Sequence, residues 1–144
     1  MKIAIGCDHA AYQEKSDLLK FLKSELGCDV LDMGTNSSDS VDYAEYGHIV
    51  GEAVSSKKVD RGIVICGSGI GISIAANKIK GVRAALCTSV SHAEMSRKHN
   101  DANVLALGAR FTSFEDIKLI TKKWISTEFE GGRHLRRINK IEKI

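Results

Sequence analysis

Residues 62–78 read GIVICGSGIGISIAANK: a β-branched apolar run, a cysteine, glycines at 67, 69 and 71, then a second apolar run with no charge before Lys78. The pattern predicts a strand buried on both faces, a tight loop and the start of a helix, which together form a βα unit. A glycine loop at such a junction suits a nucleotide phosphate, but the dinucleotide fingerprint G-x-G-x-x-G needs a third glycine at 72, where Ile72 stands. The next strand ends in ALCTS with no acidic residue for a ribose, and G-x-x-x-x-G-K-[ST] is absent. Two readings remain: the glycines allow close strand-to-helix packing, or they serve chemistry at Cys66. A helix amino terminus favours anions, so a thiol there is placed to act as base or nucleophile. The backbone N–H groups of Gly67, Ser68, Gly69, Ile70 and Gly71 would form an anion-binding nest beside it.

The same alternation continues on either side. Apolar runs at 2–6 (KIAIG), 28–34 (CDVLDMG), 62–66 (GIVIC), 82–87 (VRAALC) and 103–108 (NVLALG) predict five strands. Amphipathic stretches lie between them, with Leu18, Leu19, Leu22 and Leu26 in the first and Ile49, Val50, Ala53 and Val54 in the second. Continuously apolar strands imply burial on both faces, hence an α/β protein with a five-stranded parallel sheet between two helical layers, open and doubly wound. For a strand order beginning 2-1-3, ligands sit between the carboxyl ends of strands 1 and 3. What leaves those strands is GCDHAAY and CGSGIG, which brings Asp8, His9 and Cys66 together.

At 144 residues and 43% hydrophobic content, the chain is expected to form one domain. The uncharged run from Gly62 to Asn77 is shorter than the roughly 20 apolar residues of a membrane span, and MKIAIGCDHAAYQEK lacks an apolar stretch of signal-peptide length. A soluble cytoplasmic protein is expected. Cys7, Cys28, Cys66 and Cys87 form no C-x-x-C pair and read as free thiols. The net charge of +3 comes from the tail: residues 133–144 hold five Lys/Arg against one Glu, leaving 16 against 17 elsewhere. A neutral body argues against a nucleic-acid footprint and for a small anionic target near the tail. After EGG, Leu135, Ile138 and Ile141 recur three apart, predicting a last helix within 130–144 whose narrow apolar stripe needs a covering surface. Arg133 and Arg137 share a face of that helix and suit a phosphate or carboxylate clamp, with Arg136 close enough to compete. His99 and Asn100 precede the fifth strand and Arg110 follows it, whereas His48, His92 and His134 read as surface residues.

GCDHAA, SVDYAEYG, CGSGIGISIAANK, SRKHNDANVLALGAR and EFEGGRH, in this order from residue 2 to the tail, together resemble the ribose-5-phosphate isomerase type B family, which includes galactose-6-phosphate isomerase subunits. The resemblance implies a three-layer Rossmann-like fold of strand order 2-1-3-5-4. It also implies a homodimer, with a tetramer possible, whose active sites take residues from both subunits and whose tail helix packs at the interface. The implied reaction interconverts ribose 5-phosphate and ribulose 5-phosphate through an enediolate, as part of pentose phosphate metabolism, and needs neither metal nor organic cofactor. Cys66 would be the base, Ser68 its hydrogen-bonding neighbour, and residues 67–71 the oxyanion site. His99 would open the furanose ring, Asp8 and Tyr43 would orient its oxygens, and His9, Arg133 and Arg137 would bind phosphate. Asn100 and Arg110 would line the pocket or reach it from the neighbouring subunit.

Two positions depart from the family pattern: Ser68 stands where Thr is frequent, and Ala44 where Pro often follows Asp-Tyr. Some relatives carry a Glu base in the helix after the glycine loop; here Ala75 occupies that region and no Glu lies between Cys66 and Lys80, which favours the cysteine type. The rival readings are an isomerase of six-carbon sugar phosphates, such as allose or galactose 6-phosphate, and a non-catalytic nucleotide-binding module. The first predicts faster turnover of a hexose phosphate, the second indifference to Cys66→Ala.

Overall fold

In the computed structural model, which describes residues 1–143, the chain alternates strand and helix almost throughout. The strands are β1 (Lys2–Cys7), β2 (Asp29–Asp32), β3 (Arg61–Cys66), β4 (Ala84–Leu86) and β5 (Val104–Gly108). The helices are α1 (Tyr12–Ser24), α2 (Tyr43–Ser55), α3 (Ile70–Asn77), α4 (Val90–Asn100), α5 (Phe114–Ser126) and α6 (Arg133–Ile141), with a short 3-10 turn at His9–Ala11. All pairings are parallel, in the order β2-β1-β3-β5-β4.

Side-chain alternation along the strands divides the core in two. Ile3, Ile5, Ile63, Ile65, Leu105 and Leu107 face α1, α4 and α5, where Leu18, Leu22, Ala93, Ile117, Ile120 and Trp124 cover them. Ala4, Val64, Val104 and Ala106 face α2 and α3, against Val50, Val54, Ile72 and Ala76. The larger residues belong to the three-helix side and the smaller to the two-helix side, where glycines let α2 and α3 approach closely. A Cβ on Gly47 would lie 2.8 Å from the Ile72 carbonyl oxygen.

Two strands are shorter than their apolar runs. β4 pairs only through Ala84–Leu86 because it is an edge strand with β5 as its one neighbour. At β2 the Cys28 N–H is still committed to the Leu22 carbonyl at the end of α1 (3.0 Å), and Gly34, at φ +95°, turns the chain away. The tail helix forms, but of its predicted stripe only Ile138 is buried, while Leu135 and Ile141 are half exposed.

Candidate functional site

Neighbouring β1 and β3, with Cys7 paired to Ile65, bring the turn after β1 and the glycine loop after β3 to one point on the carboxyl edge of the sheet. The Asp8 N–H donates to the Ile65 carbonyl (3.2 Å), and the buried Asp8 carboxylate accepts the Ala10 N–H (3.0 Å), which shapes the 3-10 turn. His9 Nδ1 accepts the Val41 N–H (3.1 Å). Its proton therefore sits on Nε2, a donor available to an anion. Asp8, His9 and Cys66 come together as the strand order requires.

The glycine loop is built around the sulfur. Gly69 N–H donates to Cys66 Sγ (3.1 Å), and Ile70 N–H donates to Ser68 Oγ (3.1 Å). Gly69 stands at φ +78°, where a Cβ would lie 2.8 Å from Leu107 backbone, so a side chain is excluded on both counts. Among the described residues, the N–H groups of Ser68 and Gly71 have no protein acceptor. The Gly71 N–H is an unsatisfied donor at the start of α3, and both groups are of the kind that can hold an oxyanion. The Tyr43 ring lies over Gly71, so close that a Cβ there would be 2.6 Å from it. Arg110 folds back over Gly67 from the end of β5, and its N–H donates to the Gly67 carbonyl (2.9 Å).

The remaining expected residues lie elsewhere. Asn100 ends α4, and its carbonyl accepts from Arg83 Nε (3.0 Å), just ahead of β4. The Asn103 carbonyl, just ahead of β5, accepts the Gly62 N–H (2.9 Å). His99 and Asn100 are therefore at the amino edge of the sheet, whereas Cys66 is at the carboxyl edge. The six residues of β3, five steps of about 3.3 Å, put roughly 17 Å between those edges. Arg133 and Arg137 belong with His99, because α6 packs on α4 and the Glu130 N–H donates to the Lys98 carbonyl (3.2 Å). Both arginines are exposed. Within one chain Asn100 therefore lies away from Cys66, whereas Arg110 lies against the glycine loop. His134 is not a surface residue: it is 5% exposed and stacked on His99, with ring centroids 4.3 Å apart.

The carboxyl-edge cluster offers a buried thiol, a carboxylate, a hydroxyl and free backbone donors, which is equipment for moving a proton at carbon and holding the resulting oxyanion. The amino-edge cluster offers an imidazole and two guanidinium groups, which is equipment for an anion and an acid–base step. A family model described as Ribose/Galactose Isomerase matches residues 3–141. The chain belongs to the ribose/galactose isomerase family. It is similar to ribose-5-phosphate isomerase B of Escherichia coli, at 47% identity over 99% of this chain and 95% of that protein. The solved ribose-5-phosphate isomerase B of Clostridium thermocellum superposes with a TM-score of 0.97 at 52% identity, over 99% of this chain and 96% of that one. That of Mycoplasma genitalium, solved with bound ribulose 5-phosphate, gives 0.94 at 39% identity, over 99% and 94%.

In this member of the ribose/galactose isomerase family, the site has supports that sequence reasoning missed. Lys15, 1% exposed, extends from α1 to the end of β2 and the loop after it, donating to Asp32 Oδ1 (2.6 Å) and the Thr35 carbonyl (2.7 Å), the residue whose N–H in turn bonds the Cys7 carbonyl (2.9 Å). In sequence it reads as one more charge on the polar face of α1. In sequence Gly108 reads only as the end of a strand, yet a Cβ there would collide with the Ser68 carbonyl. The run of small residues in LALGA was the available signal. Burial pushes the strand-end thiols Cys7 and Cys87 up to about 11, so both are neutral packing groups.

Proposed function

We propose that the chain interconverts ribose 5-phosphate and ribulose 5-phosphate, with Cys66 as the base, in a site completed by a second copy of the chain. With the sugar open, the Cys66 thiolate takes the proton from C2, and the electron pair left behind forms the C1–C2 double bond of an enediolate. The proton returns to C1 while the hydroxyl proton moves from O2 to O1, leaving the carbonyl at C2. The free N–H groups of the 67–71 loop hold the oxyanion, stronger in the transition state than in the ground state. Ser68 hydrogen-bonds beside the sulfur, and Asp8 and Tyr43 orient the sugar oxygens. His99 of the second copy opens the ring. His9 and Arg110 meet the phosphate from the Cys66 chain, and Asn100, Arg133 and Arg137 from the other. The observation that carries the reading is the Cys66 thiol at the mouth of a glycine loop with unused backbone donors.

A shared site follows from the separation of the two clusters by the length of a strand, and the bare stripe of α6 supports it. Leu135 and Ile141 need covering, and they belong to the helix that carries both arginines. The chain is thus a single domain over 1–144 whose tail, 130–144, packs at a homodimer interface, with Ile144 outside the described residues; a tetramer built on that dimer is compatible with it. The setting is pentose phosphate metabolism in the cytoplasm, in keeping with helices among the described residues none of which is long and apolar enough to cross a membrane. Rates on ribose 5-phosphate, allose 6-phosphate and galactose 6-phosphate test the substrate. The highest kcat/KM is expected on ribose 5-phosphate; trace turnover of it beside a fast hexose phosphate would transfer the assignment to the six-carbon sugars.

A further inference from the structure

His99 is carried by the last turn of α4, and the helix ends two residues on at Asp101, in the left-handed region at φ +45°. The side chain is half buried, and a histidine at a helix end is free to exchange rotamers unless something packs on it. Here the His134 ring does. It stands in the first turn of α6, 5% exposed, with its centroid 4.3 Å from that of His99 and the two planes 14° apart. The backbones are joined as well: the Glu130 N–H donates to the Lys98 carbonyl (3.2 Å) and the His134 N–H to the Gly131 carbonyl (3.1 Å). Glu130 Oε2 lies 3.5 Å from His134 Nε2, at the edge of that ring.

We propose that His134 is a positioning residue for His99, its stacked ring fixing the plane of the His99 imidazole so that the edge meets the sugar. This role rests on His99 opening the furanose as proposed above. Opening breaks the C1–O4 bond, forms the C1–O1 carbonyl and moves a proton from O1 to O4. An imidazole serving that transfer presents a nitrogen, which lies on its edge. A hydrogen-bonded support would occupy one of the two nitrogens; a stacked support occupies neither. Burial, then His99 and Arg133, hold the His134 imidazole below the ordinary histidine range, so the support is neutral and adds no charge against a proton on His99. His134 and Ile138 are also the buried residues of α6, so the rival role is to seat that helix. Seating acts on phosphate binding by Arg133 and Arg137 and so on every step that needs bound sugar, whereas a misaimed His99 slows ring opening alone.

Ribulose 5-phosphate separates the two roles. Its C5 oxygen carries the phosphate, so it has no furanose form, and exchange of its C1 protons needs the Cys66 step but not His99. In D2O at saturating ribulose 5-phosphate, NMR measures deuterium entering C1 of the unconverted ketose against net conversion to ribose 5-phosphate. His134→Ala should lower kcat on ribose 5-phosphate by roughly 10–10²-fold and raise exchange per turnover at least about ten-fold, as His99→Asn should. His134→Leu, which fills the space without a flat face, carries the same expectation and replaces His134→Ala if circular dichroism shows that variant unfolded. His134→Phe restores the flat face and should recover most of the lost turnover. Turnover in His134→Ala and His134→Leu within a factor of two of the parent enzyme would overturn the role of His134. So would exchange per turnover at the parent's value, or a His134→Phe enzyme as slow as His134→Leu. His99→Asn leaving exchange per turnover at the parent's value would remove the ring-opening role of His99 itself, on which this one depends.

Discussion

Cys66 is one of four free cysteines, all buried and all at or beside the ends of strands, so residue type, burial and place in the sheet alone do not select it. What separates it is its partner: an N–H from a loop built of glycines, where Cys87 faces Ser96 Oγ and the Ala85 carbonyl instead. Cys66→Ala should lower kcat by about 10²–10⁴-fold, the range for loss of a proton-transferring group, with the circular dichroism spectrum unchanged. Retained turnover would remove the cysteine from the mechanism. Cys7 and Cys87 predict a different effect. Their folded-state values of about 11 lie above the ordinary 9.0, so the unfolded chain loses these protons first as pH rises. Their contribution to stability is complete below about pH 9 and is lost as pH climbs through about 11. The urea midpoint should fall across that interval, and the Cys7→Ala/Cys87→Ala double variant should flatten the fall. Cys66 and the glycines were legible in sequence because their spacing excludes a dinucleotide and leaves a thiol at a helix start. Lys15 and His134 were not, because a charged or ionisable side chain becomes buried only through partners distant in sequence: Asp32 and Thr35 for the lysine, His99 for the histidine.

At the scale of elements, the glycine loop at 67–71 is held from β5 as much as from β3. The Ala109 N–H donates to the Cys66 carbonyl (2.9 Å), the Arg110 N–H to the Gly67 carbonyl (2.9 Å), and Gly108 lets the two backbones touch. Gly108→Ala would force backbone against backbone at Ser68, so the loop has to move. A displacement of about 1 Å at the oxyanion donors should cost about 10²-fold in kcat and change KM less, because of the proposed phosphate contacts only Arg110 borders Gly108 while His9, Asn100, Arg133 and Arg137 come from other elements. A kcat within a factor of two of the parent enzyme would show that the β5 end does not position the loop. The inner strands β1, β3 and β5 were predictable nearly to the residue, since apolar runs buried on both faces have few other solutions. β2 and β4 were overextended because pairing at a sheet edge depends on which neighbour is present, and a sequence window does not contain the neighbour.

For the whole molecule, the decisive fact is that the expected site residues divide between two ends of one sheet. The signal for this was in the chain order: a residue just before a parallel strand and one just after another face opposite edges, so His99 and Cys66 belong to different ends of the same protomer. Two copies related by symmetry can bring a carboxyl edge and an amino edge together twice, giving two equivalent sites. The uncovered half of α6 fits that role, since a helix with one buried apolar residue out of three gains little from its own chain. The most direct measurement is complementation. Cys66→Ala and His99→Asn, each nearly inactive alone, are co-expressed with different tags and the mixed dimer is purified through both. One of its two sites carries both defects and the other carries neither. The mixed dimer should therefore recover about half of the activity of the parent enzyme, whereas a mixed dimer no more active than either variant would contradict a site shared between chains.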